Sequence, residues 1–303
     1  MRPAPFIYII LLVMLSGCGP DKDPNIDSPS NGTINISVDE SFRPVIEEQL
    51  QMYKETYPET TINAVYKTEA DCLKDLIRDS ATRMVIITRG LSEKEEKFFK
   101  DSLSYIPSWN MLARDGIAVL VSAKSKDTAF TMQELSNFLT GKDTSKQVVF
   151  DGLNATSTYR FVKDSLLNGA EIDTNYVKAA PSSEEVINYV AGNENAIGLV
   201  GISWIGNPEI PEQIEHLKKV KICYIRCEIC PGKPFVKPDQ ASITTYKYPL
   251  VRGLYYVLKE NYNGLGLGFT TFLRNERGQL IFRRFYLAPA MEFDIRDVKI
   301  NIN

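Results

Sequence analysis

Strand-like and helix-like patterns alternate along the chain from residue 33 onward. Thr33 to Val38 alternates apolar and polar positions, as a half-buried strand does. Residues 42 to 53 then place apolar side chains at helical spacing, and Ser41 is the expected cap of that helix. The same order of strand and helix repeats after Thr61 to Tyr66 and after Met84 to Ile87. This repetition predicts an α/β fold.

The second half of the chain continues the alternation and is expected to end mostly in helices. Strands are predicted at 116–121, 147–150, 196–202 and 221–225. Helix caps are predicted at Ser92 and Thr131, each with a glutamate three residues later, and at Ser182. Further helices are predicted at 250–260, 269–274 and 279–285, followed by an alternating strand from Phe293 to Ile302.

Polar segments follow the first three predicted strands. They are Asp39-Glu40-Ser41, Lys67-Thr68-Glu69 and Thr88-Arg89. Because the carboxyl ends of parallel strands lie at one edge of a sheet, these segments are expected to lie together there.

The stretch Asp151 to Leu167 looks like a polar loop that leads into a helix. Thr156, Ser157 and Thr158 are residue types that cap helices. Free backbone N–H groups and the positive end of the helix dipole suit an oxyanion at this position. An ordinary capped helix is the alternative interpretation.

The amino terminus carries an export signal. A short basic start precedes an apolar run from Phe6 to Leu15, which is too short for a comfortable membrane span of about 20 residues. The tetrad Leu15-Ser16-Gly17-Cys18 resembles a bacterial lipoprotein cleavage box, so residues 1–17 are expected to be removed and Cys18 lipidated. An uncleaved anchor or a plain signal peptide is the alternative. Residues 18–32 are rich in Pro, Asp, Asn and Ser and are expected to form a flexible tether.

Composition excludes some classes of function. With 35 Lys and Arg against 38 Asp and Glu, the net charge of −3 gives no sign of nucleic-acid binding. The motif Cys227-x-x-Cys230 lacks the further Cys or His partners of a zinc site, since the chain has a single histidine, His216. A structural disulfide using two of Cys223, Cys227 and Cys230, or free thiols, is expected in an exported chain.

Several blocks resemble the PstS-like phosphate-binding proteins of ABC importers. The terminal block Tyr248-Pro249-Leu250-x-Arg252-x-Leu254-Tyr255-Tyr256 is similar to that family's pattern, as are Phe269-x-x-Phe272-Leu273 and Gly278-Gln279-x-Ile281. Asn195-Ala196-Ile197-Gly198 resembles a second family block, and Asp115-Gly116-Ile117-Ala118-Val119 resembles the strand that crosses between lobes.

The resemblance implies a type II periplasmic-binding-protein-like fold. Two α/β lobes would be joined by two crossing segments, near 116–122 and 242–248, with the ligand cleft between them. Lobe one is predicted as 33–121 plus 245–303, and lobe two as 122–244. The protein is expected to be a monomer that uses no cofactor and no metal.

The resemblance also implies a set of ligand contacts, since this family holds oxyanions with hydroxyl and N–H groups at helix starts. By position the candidates are Ser41, Thr68, Thr88, Arg89, Thr156, Ser157 and Thr158. This chain lacks the family's glycines and its arginine before the fourth loop, and Arg89 is the expected replacement for that charge. Arg160 is expected to be solvated or salt-bridged.

The acids Asp39, Glu40 and Glu69 stand in the same loops. A carboxylate in the pocket accepts the proton that phosphate retains near pH 7 and leaves sulfate unpaired, so one of these acids is a candidate for discrimination. Solvated acids near helix starts are the alternative.

The expected function is a lipid-anchored solute-binding protein on the outer side of the cell envelope. It would capture phosphate or a related oxyanion for the membrane subunits of an ABC importer. The alternative is a sensor or protein-interaction lipoprotein with the same fold and an altered site. A hydrolase is disfavoured because no nucleophile elbow or metal-ligand spacing is present. The stripe Tyr246, Tyr248, Tyr255, Tyr256 is expected to be core and not a sugar-stacking surface.

Overall fold

The structure of the chain is a computed structural model, and it describes residues 27–152 and 156–291. The predicted signal, the lipidated Cys18 and the predicted last strand from Phe293 lie outside the described residues. Within the described ranges the protein is an α/β structure, as its sequence pattern predicts.

Lobe one is built on the strands that open the chain. Strands β1 (Gly32–Asp39), β2 (Thr60–Lys67) and β3 (Thr82–Ile87) are parallel, with β1 in the middle. The last long strand, β12 (Val251–Leu258), pairs antiparallel with β3. A fifteen-residue strand, β4 (Ser108–Ser122), pairs with β12 on its other side.

Strand β4 is the structural link between the lobes. Its first part pairs with β12 in lobe one, and its last part, from Ile117, pairs with β8 (Ala196–Gly201) in lobe two. The predicted first crossing at 116–122 therefore lies on this strand. The lobe-two strands that follow are β6 (Gln147–Phe150), β7 (Val177–Ala179) and β9 (Val220–Ile222).

The remaining elements are helices and short strands, and the strands Ala129–Phe130, Tyr224–Arg226 and Phe235–Val236 form a separate three-stranded sheet. The helices are Arg43–Thr56 (α1), Glu69–Arg78 (α2), Glu93–Leu103 (α3), Met132–Leu139 (α4), Ser157–Phe161 (α5), Ser183–Gly192 (α6), Pro211–Lys219 (α7), Gln240–Thr244 (α8), Leu265–Arg274 (α9) and Glu276–Arg284 (α10). The short strands are Ala129–Phe130 (β5), Tyr224–Arg226 (β10), Phe235–Val236 (β11) and Ala288–Pro289 (β13). No helix among the described residues has the length and apolar character to cross a bilayer.

Helix starts agree well with their capping signals. Thr68 caps α2, and Ser92 and Thr131 form complete capping boxes with Glu95 and Glu134. Ser182 caps α6 through the backbone of Glu185. These contacts are local in sequence, and each satisfies backbone N–H groups that the first helical turn leaves free.

Ser41 does not cap α1, contrary to the prediction. A 3₁₀ turn at Glu40–Phe42 precedes α1, and the Asp39 side chain accepts the backbone N–H of Ser41 at 3.1 Å. Because the turn is held by Asp39, the hydroxyl of Ser41 is free to bond elsewhere.

Residues 250–260 form strand β12 and not a helix, so that prediction is wrong. Leu250, Leu254 and Val257 match helical spacing in the sequence, but the segment is hydrogen-bonded between β3 and β4. Partners on both sides satisfy its backbone groups, and this tertiary pairing overrides the local pattern. The strand places Tyr255 and Tyr256 on opposite faces. Of the tyrosine stripe, Tyr248 and Tyr256 are buried and Tyr246 is half exposed.

Among the described residues the core falls into three clusters. The largest spans both lobes, with Phe42 and Phe282 from lobe one and Val186 and Trp204 from lobe two, and a second contains Phe150 and Tyr248. The Tyr248 hydroxyl donates to the backbone carbonyl of Ile117 at 2.7 Å, which fixes the returning chain to β4.

Two predictions about the margins of the fold can be compared with the structure. Cys227 and Cys230 form a disulfide, within the expected set, whereas Cys72 and Cys223 are buried free thiols. The last residues of the predicted tether pack on the protein instead of lying free. Asp27 accepts hydrogen bonds from Tyr262 and from the backbone N–H of Leu265, because its carboxylate satisfies the start of α9.

Candidate functional site

Ser41 connects the two lobes at the end of β1. Its hydroxyl donates to Asp151 Oδ2 at 3.0 Å and lies 3.5 Å from the Ser157 hydroxyl. Its carbonyl accepts the indole N–H of Trp204 at 3.0 Å. Asp151 and Ser157 belong to lobe two, so a residue at the edge of the lobe-one sheet meets the predicted anion loop directly.

The start of α5 lies at this meeting point. Thr156 caps the helix through the N–H of Tyr159. Ser157 and Thr158 are buried, and both accept hydrogen bonds from Arg252 Nη1, at 2.8 and 3.3 Å. A π-helical turn, Val162–Leu166, continues this short helix.

Arg252 supplies the positive charge at the centre of the cluster. Its Nε donates to Asp115 Oδ2 at 2.8 Å, across the register of β12 and β4. Both side chains are almost fully buried, and the N–H of Ile202 donates to the second oxygen of Asp115. Gly201 permits this close packing, since a Cβ there would lie 3.1 Å from the Ser41 carbonyl oxygen and 3.3 Å from Arg252 Nη2.

Two buried carboxyl groups of the site have raised pKa values. Burial raises the pKa of Asp39 to about 7, and Arg252 offsets that effect only in part. Burial likewise raises the pKa of Asp151 to about 6 against the same arginine. One guanidinium therefore faces more carboxyl groups than it can neutralise, and the site binds protons near neutral pH.

A second bridge between the lobes lies beside the first. Glu69, at the start of α2, accepts from the backbone and hydroxyl of Thr88 and from Arg160 Nε at 2.7 Å. Arg160 Nη2 also donates to the Thr88 hydroxyl at 2.6 Å. Burial by itself raises the pKa of Glu69, but the hydrogen bonds and charge of Arg160 outweigh it and hold that pKa below its usual value. Glu69 therefore stays ionised and pairs with Arg160 across the cleft.

A cavity of about 320 Å³ opens beside these groups. Four of its lining residues each bury a polar atom that has no hydrogen-bond partner among the described residues. These atoms are Asp39 Oδ2, Asp151 Oδ1, Arg43 Nε and Tyr66 Oη. The Arg43 guanidinium stacks over the Tyr66 ring at 4.7 Å. Buried polar atoms are normally paired, so these four groups are exceptions beside the cavity, although the atoms themselves have almost no accessible surface.

The profile of the PBP superfamily domain matches residues 23–277, which is most of the chain. The chain belongs to the PBP superfamily. No curated protein sequence matches it.

Solved structures agree on the fold of this PBP-superfamily protein. One neighbour is described as a phosphate ABC transporter substrate-binding protein with bound phosphate, from Clostridium perfringens. It shares 20% identity at a TM-score of 0.70, over 86% of this chain and 100% of that one. An ABC-type phosphate transport receptor from Vibrio cholerae shares 17% identity at a TM-score of 0.60, over 85% of this chain and 100% of that one. The resemblance to the PstS-like group is thus confirmed at the level of the fold.

The fold brings most of the predicted site residues of this PBP-superfamily protein to one place. Ser41, Ser157 and Thr158 lie in the Arg252 cluster, Thr156 and Thr68 line the cavity, and Thr88 lies in the Glu69 bridge. Whether these residues hold a ligand stays a prediction.

Arg89 does not supply the charge that was expected of it. Its guanidinium forms a two-bonded pair with Glu95 at 2.8 Å and donates to the carbonyl of Gly90. Glu95 is the capping-box acid of the helix that follows, so Arg89 is held on the lobe-one side by its own element. Arg160, expected to be salt-bridged or solvated, is salt-bridged to Glu69.

Two residues of the site have little signal in the sequence. Asp39 is one of three candidate acids there, and Arg252 stands only in a block that resembles the family, because the predicted helix at 250–260 gives it no position at the cleft. Arg252, Leu254 and Tyr256 are spaced two residues apart, as residues on one face of a strand are. This spacing is the signal in the sequence that indicates a strand with Arg252 on its buried face.

Proposed function

We propose that the protein is an extracytoplasmic solute-binding protein that captures a protonated oxyanion, with inorganic phosphate as the preferred ligand. The observation that carries this proposal is a set of four buried polar atoms that have no hydrogen-bond partner among the described residues and belong to side chains lining one cavity. Two of them, on Asp39 and Asp151, accept hydrogen bonds, while Arg43 Nε donates and the Tyr66 hydroxyl can do either. Phosphate near neutral pH has both P–OH groups and charged oxygens, so it can pair with both kinds of group.

The buried acids favour phosphate over sulfate. A P–OH group donates to a carboxylate, whereas sulfate has no proton near pH 7 and would meet the carboxylates as an unpaired like charge. The pKa values of about 7 for Asp39 and about 6 for Asp151 also let the site take up protons when an anion enters. The guanidinium of Arg252 donates hydrogen bonds to Asp115 and Ser157, and its positive charge compensates part of the remaining negative charge of the site.

The protein would deliver its ligand to the membrane subunits of an ABC importer. A lipid on Cys18 would hold it at the outer side of the cell envelope, as the sequence of the amino terminus predicts. The neighbour from Clostridium perfringens, described as an ABC transporter substrate-binding protein, supports the same role. Binding involves no covalent chemistry in this proposal.

A sensor or protein-interaction role is the second candidate, and one observation favours it. The groups expected to hold the anion bond to one another: Ser41 to Asp151, and Arg252 to Ser157 and Thr158. An altered site of this kind would keep the two-lobed fold and lose anion capture.

Calorimetric titration of the full-length protein in detergent separates the two candidates. Phosphate, sulfate and molybdate are titrated at pH 6 and pH 8. We expect saturable phosphate binding and no sulfate binding at pH 8, where ionised Asp39 and Asp151 accept P–OH hydrogen bonds, and less discrimination between the two anions at pH 6, where these carboxyls take up protons. If none of the three anions gives a heat of binding, the importer role is ruled out and the interaction role remains.

Ser157→Ala tests the predicted anion loop directly. Loss of this hydroxyl should weaken phosphate binding by about 10- to 150-fold, which corresponds to the 1.5–3 kcal/mol of a hydrogen bond to a charged group. Ser165→Ala, an exposed position in the helical turn that follows, is the matched control and should bind as the parent does. Equal affinities in the two variants would place the anion away from α5.

A further inference from the structure

His216, the chain's single histidine, lies on α7 in an unusual setting. Its side chain is nearly buried, with the residue only 6% exposed, yet it lines the large cavity between α1, α6 and α7. Its Nδ1 lies 3.4 Å from the backbone carbonyl oxygen of Trp204. In the tautomer that donates from Nδ1 to this carbonyl, Nε2 is the electron-pair donor of the ring.

Two carboxylates stand next to this imidazole. Glu212 lies one turn before His216 on α7, and residues four apart share a helix face. Glu184 comes from the first turn of α6. One oxygen of each carboxylate and one imidazole nitrogen all lie within 4.8 Å of one another.

We propose that Glu184, Glu212 and His216 form a binding site for a divalent transition-metal ion such as Zn²⁺. Zinc binds imidazole nitrogen and carboxylate oxygen at about 2.0–2.2 Å, which places two ligand atoms roughly 3–4 Å apart. The three ligand atoms of this cluster lie within 4.8 Å of one another, and rotation of the two exposed glutamate side chains brings them to the separation that zinc requires. Among the described residues, neither glutamate forms an ion pair that would oppose this movement.

The contact with Trp204 is the kind of support that metal-bound histidines have. A metal-ligating imidazole usually donates its other N–H to a carbonyl or carboxylate, which fixes the ring and raises its basicity. Here that contact is already formed. A nearly buried histidine with such a contact, lining a cavity beside two carboxylates, is a more specific arrangement than a group of surface acids.

The surroundings favour a cation. The cavity of about 540 Å³ is also lined by Glu40, Glu47 and Glu48, and Arg43 is its one lining arginine or lysine. Its open side leaves room for water at the remaining coordination positions.

A bound ion would join α6 to α7 beside the cleft. Ser183, the neighbour of Glu184, donates to Glu40 of lobe one, and Trp204, the partner of His216, donates to Ser41. The two cavities share Glu40, Arg43 and Ser182, but none of the three proposed metal ligands lines the anion cavity, so metal binding is tested without added anion.

Zinc titration of the full-length protein without a polyhistidine tag tests the proposal. We expect one Zn²⁺ per chain by calorimetry, and a shift of the imidazole signals in the NMR spectrum, which come from His216 alone. Co²⁺ should give the visible absorption of a site with nitrogen and oxygen ligands. Glu184→Gln and Glu212→Gln should each weaken Zn²⁺ binding at least 10-fold.

Glu215→Gln is the matched control, because it removes the same charge from the same helix and Glu215 pairs with Lys218. It should bind Zn²⁺ as the parent does. The proposal is overturned by any of three results: no saturable binding, imidazole signals that do not move, or parental affinity in both Glu184→Gln and Glu212→Gln. The two glutamates are exposed, so folding is expected to be preserved, and circular dichroism checks it.

Discussion

Asp39 shows how one side chain serves both the fold and the site. One oxygen accepts the N–H of Ser41 and holds the 3₁₀ turn, while the other is buried without a partner among the described residues. Burial therefore raises the pKa of this carboxyl to about 7 from 3.8. The folded protein holds a proton at Asp39 more tightly than the unfolded chain does.

The sign of the effect on stability follows from linkage. Between pH 4 and 7 the folded state binds more protons at Asp39 than the unfolded state, so this group makes the protein less stable as pH rises. Asp39→Asn should keep the turn and remove the buried charge. We expect the variant to gain on the order of 2 to 4 kcal/mol in free energy of unfolding at pH 8, and to gain nothing from this group below pH 4.

Urea unfolding at several pH values measures this difference, with Glu95→Gln as a contrast of opposite sign. Arg89, together with Ser92, holds the pKa of Glu95 down at about 2, so that carboxylate stabilises the fold above its usual pKa of 4.5 and loses its contribution as pH falls toward 2. Glu95→Gln should therefore destabilise the protein at neutral pH. A gain for Asp39→Asn that is the same at pH 4 and pH 8 contradicts a raised pKa.

At the scale of elements, helix starts explain much of what the cleft residues do. Thr68 was predicted as an anion ligand, but its hydroxyl accepts the N–H of Asp71 and donates to the Asp71 carboxylate at 3.0 Å. The Thr68 hydroxyl therefore both donates and accepts a hydrogen bond within the first turn of α2. Its position at the cavity follows from its role as a helix cap.

Thr68→Ala should therefore change stability more than binding. Loss of an N-cap costs about 1 kcal/mol of unfolding free energy, and Thr68→Ser should recover most of it because serine caps equally well. Urea unfolding measures the cost, and phosphate titration should show affinity within about 2-fold of the parent protein. A large loss of affinity with unchanged stability would assign Thr68 to the anion.

At the scale of the whole molecule, polar contacts join the two lobes around the cleft. Glu69 pairs with Arg160, and Glu40 accepts from the hydroxyl of Ser183 at 2.8 Å. Trp204 and Asp151 both bond to Ser41. Two-lobed binding proteins close around a ligand, and contacts of this kind set the balance between open and closed forms.

A double-mutant cycle on Glu69→Gln and Arg160→Gln measures one of these contacts. We expect a coupling of about 1 kcal/mol in unfolding free energy, since Glu69 is buried but solvent screens the partly exposed Arg160. The same cycle on Lys163 and Glu171, an exposed pair within lobe two, should give less than about 0.5 kcal/mol. Equal coupling free energies for the two pairs would show that the Glu69–Arg160 pair joins the lobes no more strongly than an exposed pair holds one lobe.

The sequence by itself determined the elements whose signals are local. The strands at residues 33–38 and 147–150 follow from apolar patterning, and the caps at Ser92, Thr131 and Ser182 follow from hydrogen bonds within four residues. The family blocks added the prediction of a two-lobed arrangement and of an anion loop at Ser157.

Tertiary structure alone decided which charges meet in the cleft. The sequence pointed to Arg89 as the charge of the cleft, but Arg89 is held by Glu95, whereas Arg252 is aligned with Asp115 by strand pairing. The same pairing made β12 a strand, since hydrogen bonds to two neighbouring strands outweigh a helical pattern of apolar residues. Burial of Asp39 and Asp151, and so their raised pKa values, also depends on residues more than a hundred positions away. Local pattern therefore fixes most of the elements, and long-range packing fixes strand β12 and the chemistry of the site.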